Sequence, residues 1–186
     1  MGASSTTAAA AGTKGSATAS ASDRSSDAMV LFGATGDLAH KKLFDTIQAL
    51  VRRGVLDAPV VGIAKSGMSR EQVIERARDG ITKFGRGVDE KAFARFAERF
   101  RYVDGDYGDP KTFAALREAL GESKRPLHYL AIPPSLFGPV GQALKSSGCT
   151  RGARVVVEKP FGRDLQSARA LNRSLHEVFD ESSVFR

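Results

Sequence analysis

Apolar and polar positions form alternating blocks along the chain, and these blocks predict strands and helices in turn. Short apolar runs rich in valine, isoleucine and leucine have the composition of buried strands. Between them, apolar residues recur at three- and four-residue steps, the spacing of a helix that buries one face. The predicted strands are residues 28–32, 60–64, 102–105, 127–132 and 154–158. The predicted helices are residues 38–53, 69–84, 90–100, 109–120, 135–145 and 164–179.

The repeated strand–helix alternation predicts the fold class. Such an order favours parallel strands that are joined by right-handed helical crossovers. We therefore expect an α/β domain at residues 29–186: a doubly wound, Rossmann-type parallel sheet with helices on both faces. The three consecutive valines at 155–157 further predict a strand that is covered on both faces.

Residues 1–28 differ in composition from the rest of the chain. They are almost entirely alanine, serine, threonine and glycine, and after Met1 they lack the bulky apolar side chains that a core needs. Such a composition predicts a disordered leader. The segment has no apolar core of a secretory signal, and targeting to an organelle is the alternative.

The charge balance narrows the class of partner. Lysine and arginine number 28 against 21 aspartates and glutamates, a formal net charge of +7 that favours anionic partners. The sequence has no run of five or six basic residues, no nucleic-acid-binding motif and no apolar run of membrane-spanning length. We therefore expect a phosphorylated small molecule, with no nucleic acid and no membrane. The single cysteine, Cys149, excludes an internal disulfide and suits the reducing cytoplasm.

A glycine-containing turn joins the first predicted strand to the first predicted helix. It reads Gly33-Ala34-Thr35-Gly36-Asp37-Leu38-Ala39. Glycines at this point let the backbone turn sharply and approach a pyrophosphate, which the amino end of the helix stabilises. The turn predicts dinucleotide binding, and the alternative is that its glycines serve only a tight connection.

The end of the second predicted strand bears on which dinucleotide binds. A site that prefers NAD has an acidic residue here for the ribose 2′-hydroxyl, whereas this sequence has Lys65 and Ser66. Because a lysine attracts the 2′-phosphate, the predicted cofactor is NADP. The alternative is that Lys65 is an ordinary exposed lysine.

A charged pair followed by proline ends the last predicted strand. The run Val-Val-Val-Glu-Lys-Pro-Phe-Gly occupies residues 155–162. Its strand would carry Lys159 to the carboxyl edge of the sheet, where open α/β sheets bind their ligands, and Pro160 would close the strand. An ordinary ion pair between Glu158 and Lys159 is the alternative.

Three stretches together resemble the glucose-6-phosphate dehydrogenase family. They are the glycine turn with the Lys41-Lys42-Leu43 that follows it, Tyr129-Leu130-Ala131-Ile132-Pro133-Pro134, and Val157-Glu158-Lys159-Pro160-Phe161-Gly162-Arg163-Asp164-Leu165. The resemblance covers residues 29–186. It implies an enzyme of the pentose phosphate pathway that oxidises glucose 6-phosphate with NADP⁺ to 6-phosphoglucono-1,5-lactone and NADPH.

The resemblance also implies roles for single residues. Lys65 stands where the family usually has an arginine that holds the 2′-phosphate. Asp106 and Tyr107 would border the adenine, and Lys159 would touch both the sugar phosphate and the cofactor. The residues implied around the pyrophosphate are Gly33, Ala34, Thr35, Gly36, Asp37, Leu38, Ala39 and His40.

The resemblance places the catalytic base of the family outside this chain. In the family it is a histidine within an Asp-His-Tyr-Leu-Gly-Lys-Glu signature, which would begin just beyond Arg186, and His40, His128 and His176 do not replace it. We therefore expect a coenzyme-binding piece, monomeric and inactive alone and without a metal, from an enzyme that is a homo-oligomer at full length. A free-standing NADP-binding module and another sugar oxidoreductase with a strand-end Glu-Lys-Pro are the alternatives.

Overall fold

The computed structural model describes residues 25–159 and 164–186. Within them lies one parallel sheet, whose strands are β1 (Ala28–Phe32), β2 (Val60–Ala64), β3 (Phe100–Asp104), β4 (Pro126–Leu130), β5 (Arg154–Val157) and β6 (Val184–Phe185). The strand order is β3-β2-β1-β4-β5-β6, and every neighbouring pair is parallel. The chain thus builds the sheet outward from β1 in one direction and then in the other, so the predicted doubly wound α/β class is confirmed.

Helices connect the strands and pack on both faces of the sheet. A π-helical segment, Ala39–Leu43, leads directly into the first α-helix, and 3₁₀ turns cover Pro134–Leu136 and Glu181–Ser183. The α-helices are α1 (Phe44–Arg52), α2 (Arg70–Phe84), α3 (Glu90–Arg99), α4 (Pro110–Leu120), α5 (Phe137–Ser146) and α6 (Leu165–His176). No helix in the described part of the chain combines the length and the apolar character that crossing a membrane requires.

The starts of the helices follow from local side-chain caps. The Ser69 hydroxyl accepts a hydrogen bond from the Gln72 backbone N–H, and the Gln72 side chain accepts one from the Ser69 backbone N–H. This reciprocal capping satisfies two donors that the first turn of α2 leaves free. Asp109 accepts from the backbone N–H of Lys111 at the start of α4, and Pro110 is the first residue of that helix. Both starts confirm the sequence prediction.

Each face of β1 packs against a different set of helices, which explains its unbroken apolar sequence. Met29 and Leu31 lie in a core cluster with α1, α2 and α3. Val30 and Phe32 lie in a second cluster with α4, α5 and α6. Beside β1 lies β4, and the sheet grows away from this pair in opposite directions. The carboxyl ends of these two strands are where sheets of this topology bind ligands.

The prediction that the valine strand is covered on both faces is wrong for one face. Val155 and Val157 are buried in the cluster with α4, α5 and α6, whereas Val156 is half-buried. Val156 lines a groove of about 940 Å³ together with Leu127 and Tyr129. On that face the described helices α1, α2 and α3 pack over the other half of the sheet, β1 to β3.

Several predicted boundaries also differ from the structure. Phe100 begins β3 instead of ending α3, and α6 ends at His176. The predicted helix over 38–53 begins as a π-helix, since the Phe44 backbone N–H donates to the carbonyl of Ala39, five residues back. Ala131 and Ile132 follow β4 without belonging to it. The two-residue strand β6 was not predicted, because two residues are too few to show a period.

The boundary predicted for the leader is too far along the chain. Ala28 is already the first residue of β1. The carboxylate of Asp27 accepts from the backbone N–H groups of Lys124 and Arg125, each at 2.8 Å, and so ties the entry of β1 to the entry of β4. Residues 1–24, on which the prediction of disorder falls, lie outside the described residues.

Candidate functional site

The glycine turn follows β1 at the carboxyl edge of the sheet, and its first residue has to be glycine. Gly33 has a φ of 75°, and a Cβ atom there would lie 2.3 Å from the carbonyl oxygen of Ala131. The left-handed backbone and the close approach each disfavour any other residue. The Gly33 N–H donates to the carbonyl of Ile63 at 2.9 Å, so the turn is fixed to the end of β2.

Tyr107 reinforces the same connection between Gly33 and Ile63. Its hydroxyl accepts from the Gly33 N–H at 2.9 Å and donates to the Ile63 carbonyl at 3.1 Å. Its ring packs against Phe32, with centroids 5.7 Å apart. Burial raises the pKa of Tyr107 from 10 to about 12, so the hydroxyl keeps the proton that it donates to Ile63 even in alkaline solution. The structure thus gives Tyr107 a contact with the turn, whereas its role beside the adenine stays a prediction.

The segment after Gly33 presents a helix amino end. Gly36, Asp37 and Leu38 are exposed, whereas Ala34 and Ala39 are fully buried and let the helix start close to the sheet. Backbone N–H groups in the first turn of a helix lack intrahelical acceptors, and they bind anions for that reason. The Asp37 carboxylate lies 2.8 Å from the Lys41 ammonium, which lowers the pKa of Asp37.

The His40 side chain is directed at α2. Its Nε2 lies 2.9 Å from the Asp79 carboxylate, and its ring meets Phe84 edge-on, with centroids 5.4 Å apart. A hydrogen bond from Lys83 and then one from His40 lower the pKa of Asp79. The imidazole of His40 therefore packs between helices, and it is the backbone of His40 that adjoins the glycine turn.

Arg76 is a cationic residue at the turn that sequence reasoning missed. It lies on α2, is half-buried, and donates from Nε to the carbonyl of Thr35 at 3.0 Å. Its charge also contributes, after Lys41, to the lowered pKa of Asp37. A contact between residues 41 positions apart leaves no local pattern, so no signal in the sequence could have found it.

The ends of β2 and β3 form a polar corner beside the turn, and it brings together two predicted residues. Lys65 Nζ lies 2.7 Å from Asp106 Oδ2. Asp104, which was not predicted, accepts from the backbone N–H groups of Ser66 and Gly67 at 2.9 and 3.0 Å. The bond from Ser66 is the main cause that lowers the pKa of Asp104. Lys65 is thus exposed, as in the alternative interpretation, but it is paired.

A cleft of about 220 Å³ lies between the glycine turn and the ends of β4 and β5. Lys159 is exposed and borders it, and the remaining lining residues are Leu38, Leu130, Ala131, Ile132, Pro133, Pro134 and Glu158. The structure therefore brings the strand-end lysine to the same cleft as the turn. Pro160 and the rest of the predicted turn up to residue 163 lie outside the described residues.

Glu158 and Lys159 do not pair with each other within the described residues. The Glu158 carboxylate instead accepts a hydrogen bond from the Tyr129 hydroxyl, on the neighbouring strand. Burial is the first cause that raises the pKa of Tyr129, and Glu158 raises it further. Glu158 is thus held by β4, and Lys159 is directed to the cleft edge.

None of the three histidines lines this cleft. His128 is fully buried in the middle of β4, where its Nε2 donates to the Cys149 carbonyl at 2.8 Å. Burial lowers the pKa of His128 to about 4. His176 lies 2.6 Å from Glu181, near the end of the chain. Across residues 25–159 and 164–186, no group of three or more histidine, cysteine, aspartate or glutamate side chains could hold a metal ion.

The family model and the curated relatives point to the same family. Residues 30–186 match the family model described as glucose-6-phosphate dehydrogenase, NAD binding domain. Glucose-6-phosphate 1-dehydrogenase 1 of Mycobacterium tuberculosis (strain H37Rv) is 42% identical over 161 residues, which are 87% of this chain and 34% of that protein. The cytoplasmic glucose-6-phosphate 1-dehydrogenase 6 of Arabidopsis thaliana is 34% identical over 176 residues, 85% of this chain and 34% of that protein.

Solved structures agree with the sequence matches. A crystal structure of glucose-6-phosphate 1-dehydrogenase from Mycobacterium avium superposes with a TM-score of 0.81 at 42% identity, over 86% of this chain and 36% of that one. A glucose-6-phosphate dehydrogenase in complex with its substrate glucose 6-phosphate superposes with a TM-score of 0.74 at 34% identity, over 86% of this chain and 35% of that one. The chain spans about a third of the length of the relatives that it matches.

Proposed function

Since the chain belongs to the glucose-6-phosphate dehydrogenase family, within its NAD binding domain, we propose that it is the NADP-binding part of an enzyme that oxidises D-glucose 6-phosphate. The products of the proposed reaction are 6-phospho-D-glucono-1,5-lactone and NADPH, as in the pentose phosphate pathway. The homologues are oxidoreductases by name. The observation that carries the proposal is the meeting of the glycine turn and Lys159 at one cleft.

The turn accounts for binding of the dinucleotide. Because Gly33 has no side chain, its backbone lies close to that of Ala131. Hydrogen bonds with Ile63 and Tyr107 hold the turn in place before any ligand binds. A preorganised turn at a helix amino end favours a pyrophosphate because little conformational freedom is lost on binding. Lys65, at the end of β2, supports NADP as the dinucleotide, since its ammonium attracts a 2′-phosphate.

Lys159 accounts for binding of the sugar phosphate. An ammonium at the end of a rigid strand supplies a positive charge and hydrogen-bond donors at a fixed place in the cleft. A bound nicotinamide would supply the acceptor for the hydride. Removal of the hydroxyl proton at the sugar C1 needs a base, and the three histidines of this chain lie away from the cleft. We assign the base to the two thirds of a family member that this chain does not span.

The proposal also covers the cellular compartment and the oligomeric state of the protein. The cytoplasm is supported by the single cysteine, which is buried and free. We expect this chain to be monomeric and the full-length enzyme to be a homo-oligomer.

The chemistry is tested by comparing the chain alone with a chimera in which it replaces the matching part of the Mycobacterium tuberculosis relative. NADPH formation from glucose 6-phosphate should occur in the chimera and not in the chain alone, because the base comes from the added part. In the chimera, Lys159→Ala should lower kcat/KM by roughly a hundredfold or more, on the scale of a lost charged contact in a closed site. The matched control is Lys124→Ala, an exposed lysine that precedes β4 at the opposite edge of the sheet.

Two results contradict the proposal. One is steady NADPH production by the 186-residue chain alone, since it would place the base within this chain. The other is a chimera in which Lys159→Ala is as active as Lys124→Ala, since it would place the sugar phosphate elsewhere.

A further inference from the structure

The corner at the ends of β2 and β3 holds one lysine and two carboxylates. Lys65, with a charge of +1, pairs with Asp106, and Asp104 is bound to the backbone of the next two residues, Ser66 and Gly67. Each carboxylate carries −1, so the three side chains sum to −1. The proposed function puts the adenosine ribose of the dinucleotide at this corner, and the role inferred here for the corner rests on that proposed function. A ligand that brings a 2′-phosphate therefore meets a corner that is not net positive.

Asp106 is held by both of its oxygens. Its Oδ1 accepts from the Gly108 backbone N–H at 2.8 Å, and its Oδ2 accepts from Lys65 Nζ at 2.7 Å. The bond to the backbone fixes the carboxylate independently of the lysine. The side chains of Lys65 and Asp106 are 72% and 52% exposed, so water weakens their attraction and a bound phosphate can compete for the lysine.

Asp104 removes a second attraction for phosphate. The backbone N–H groups of Ser66 and Gly67 point into the corner, and successive N–H groups of this kind bind phosphate oxygens in other proteins. Here both donate to the Asp104 carboxylate, at 2.9 and 3.0 Å. The same carboxylate also accepts from the Tyr102 hydroxyl at 3.0 Å. The corner thus offers Lys65 as its phosphate ligand while its N–H groups are engaged.

We propose that Asp106 is a positioning residue for cofactor choice: by holding Lys65, it reduces the advantage of NADP⁺ over NAD⁺. NAD⁺ has no 2′-phosphate, so it leaves the pair between Lys65 and Asp106 intact. NADP⁺ has to draw Lys65 away from Asp106, and its 2′-phosphate then lies next to a carboxylate. Both dinucleotides are accepted, and the charge of Asp106 sets how far apart their affinities are.

The test is calorimetric titration of NAD⁺ and NADP⁺ into the wild-type chain and Asp106→Asn at one ionic strength. Asparagine keeps an oxygen for the Gly108 N–H and removes the charge. Affinity for NADP⁺ should rise roughly five- to tenfold, the effect of one close unit charge on a phosphate in water. Affinity for NAD⁺ should stay within about twofold, since NAD⁺ carries no charge at that position. Glu122→Gln, with the same change of charge at an exposed site before β4, should leave the ratio of affinities unchanged.

The inference is overturned if Asp106→Asn leaves the ratio of NADP⁺ affinity to NAD⁺ affinity at its wild-type value. It is also overturned if Glu122→Gln changes this ratio as much as Asp106→Asn does. A further variant, Lys65→Ala, separates the inference from the proposed function. If Lys65→Ala weakens NADP⁺ while Asp106→Asn changes nothing, the proposed function stands and the inference fails. If neither dinucleotide binds the folded wild-type chain, the proposed function falls and the inference falls with it.

Discussion

His128 shows how a single residue couples the core of this domain to pH. Its ring is fully buried between Phe32 and Phe179, at centroid distances of 6.1 and 6.3 Å. Since a carbonyl can only accept, Nε2 carries the proton that is donated to Cys149, and the buried Nδ1 has no hydrogen-bond partner in the described structure. Protonating Nδ1 would bury a charge with no anion beside it.

The stability of the chain should therefore fall as the pH is lowered. Burial depresses the pKa of His128 from 6.5 to about 4, so below pH 6.5 the unfolded chain binds a proton that the folded chain does not. The stability that neutral His128 contributes is therefore intact above pH 6.5, the pKa in the unfolded chain, and is lost as the pH falls towards about 4, the pKa in the folded chain. Between pH 7 and pH 5 the free energy of unfolding should drop by about 2 kcal/mol more than in a His128→Gln variant.

Urea unfolding at several pH values measures this drop. His176→Gln is the matched control, because it removes a histidine from the end of α6 without touching the core. If the free energy of unfolding changes with pH by the same amount in the wild type and in His128→Gln, then His128 does not take up a proton on unfolding.

At the scale of elements, the contact between the π-helical segment and α2 depends on one glycine. A Cβ atom on Gly80 would lie 2.1 Å from the carbonyl oxygen of His40. The wide π-helical turn and α2 therefore approach each other at a point where no side chain fits. This contact supports the segment that follows the glycine turn, so it bears on the proposed nucleotide site as well as on stability.

Gly80→Ala should destabilise the domain although alanine is the better helix former. Alanine usually gains up to about 1 kcal/mol over glycine inside a helix, but here the added methyl group has to push two backbones apart, at a cost of roughly 1–3 kcal/mol. Gly138→Ala on α5 is the matched control, since its Cβ would lie 3.7 Å from Ser174, an ordinary contact. Thermal unfolding should show a lower Tm for the first variant and an equal or higher Tm for the second; equal values for both would refute the close contact.

Helices and strands whose apolar residues recur at a regular spacing could be predicted from the sequence, whereas contacts between distant elements could not. The caps at Ser69 and Asp109 act within three residues, so the starts of α2 and α4 followed from local patterns. The pair of Lys65 with Asp106 joins residues 41 positions apart. The sequence contained both residues as candidates, but only the sheet order places β2 beside β3 and so brings them together.

At the scale of the whole molecule, the site follows from topology. The glycine turn, the two halves of the corner and Lys159 come from four distant parts of the chain, and the parallel sheet brings the ends of β1, β2, β3 and β5 to one edge. The assignment of individual residues to the cofactor stays a prediction, because the contacts seen in the structure are among the protein's own groups. Arg76 and Tyr107 were placed at the turn by packing, which no local pattern encodes.

The central claim, that this chain binds a dinucleotide through the glycine turn, is tested most directly by calorimetric titration of NADP⁺. Gly33→Ala is compared with Gly87→Ala: both glycines have a positive φ, 75° and 91°, but only at Gly33 would a Cβ atom meet another backbone, whereas Gly87 has open space around it. We predict one NADP⁺ bound per wild-type chain and per Gly87→Ala chain, with at least about a tenfold weaker affinity in Gly33→Ala because the turn must shift. Absence of binding to the folded wild-type chain, or equal affinities in the two glycine variants, would contradict the claim.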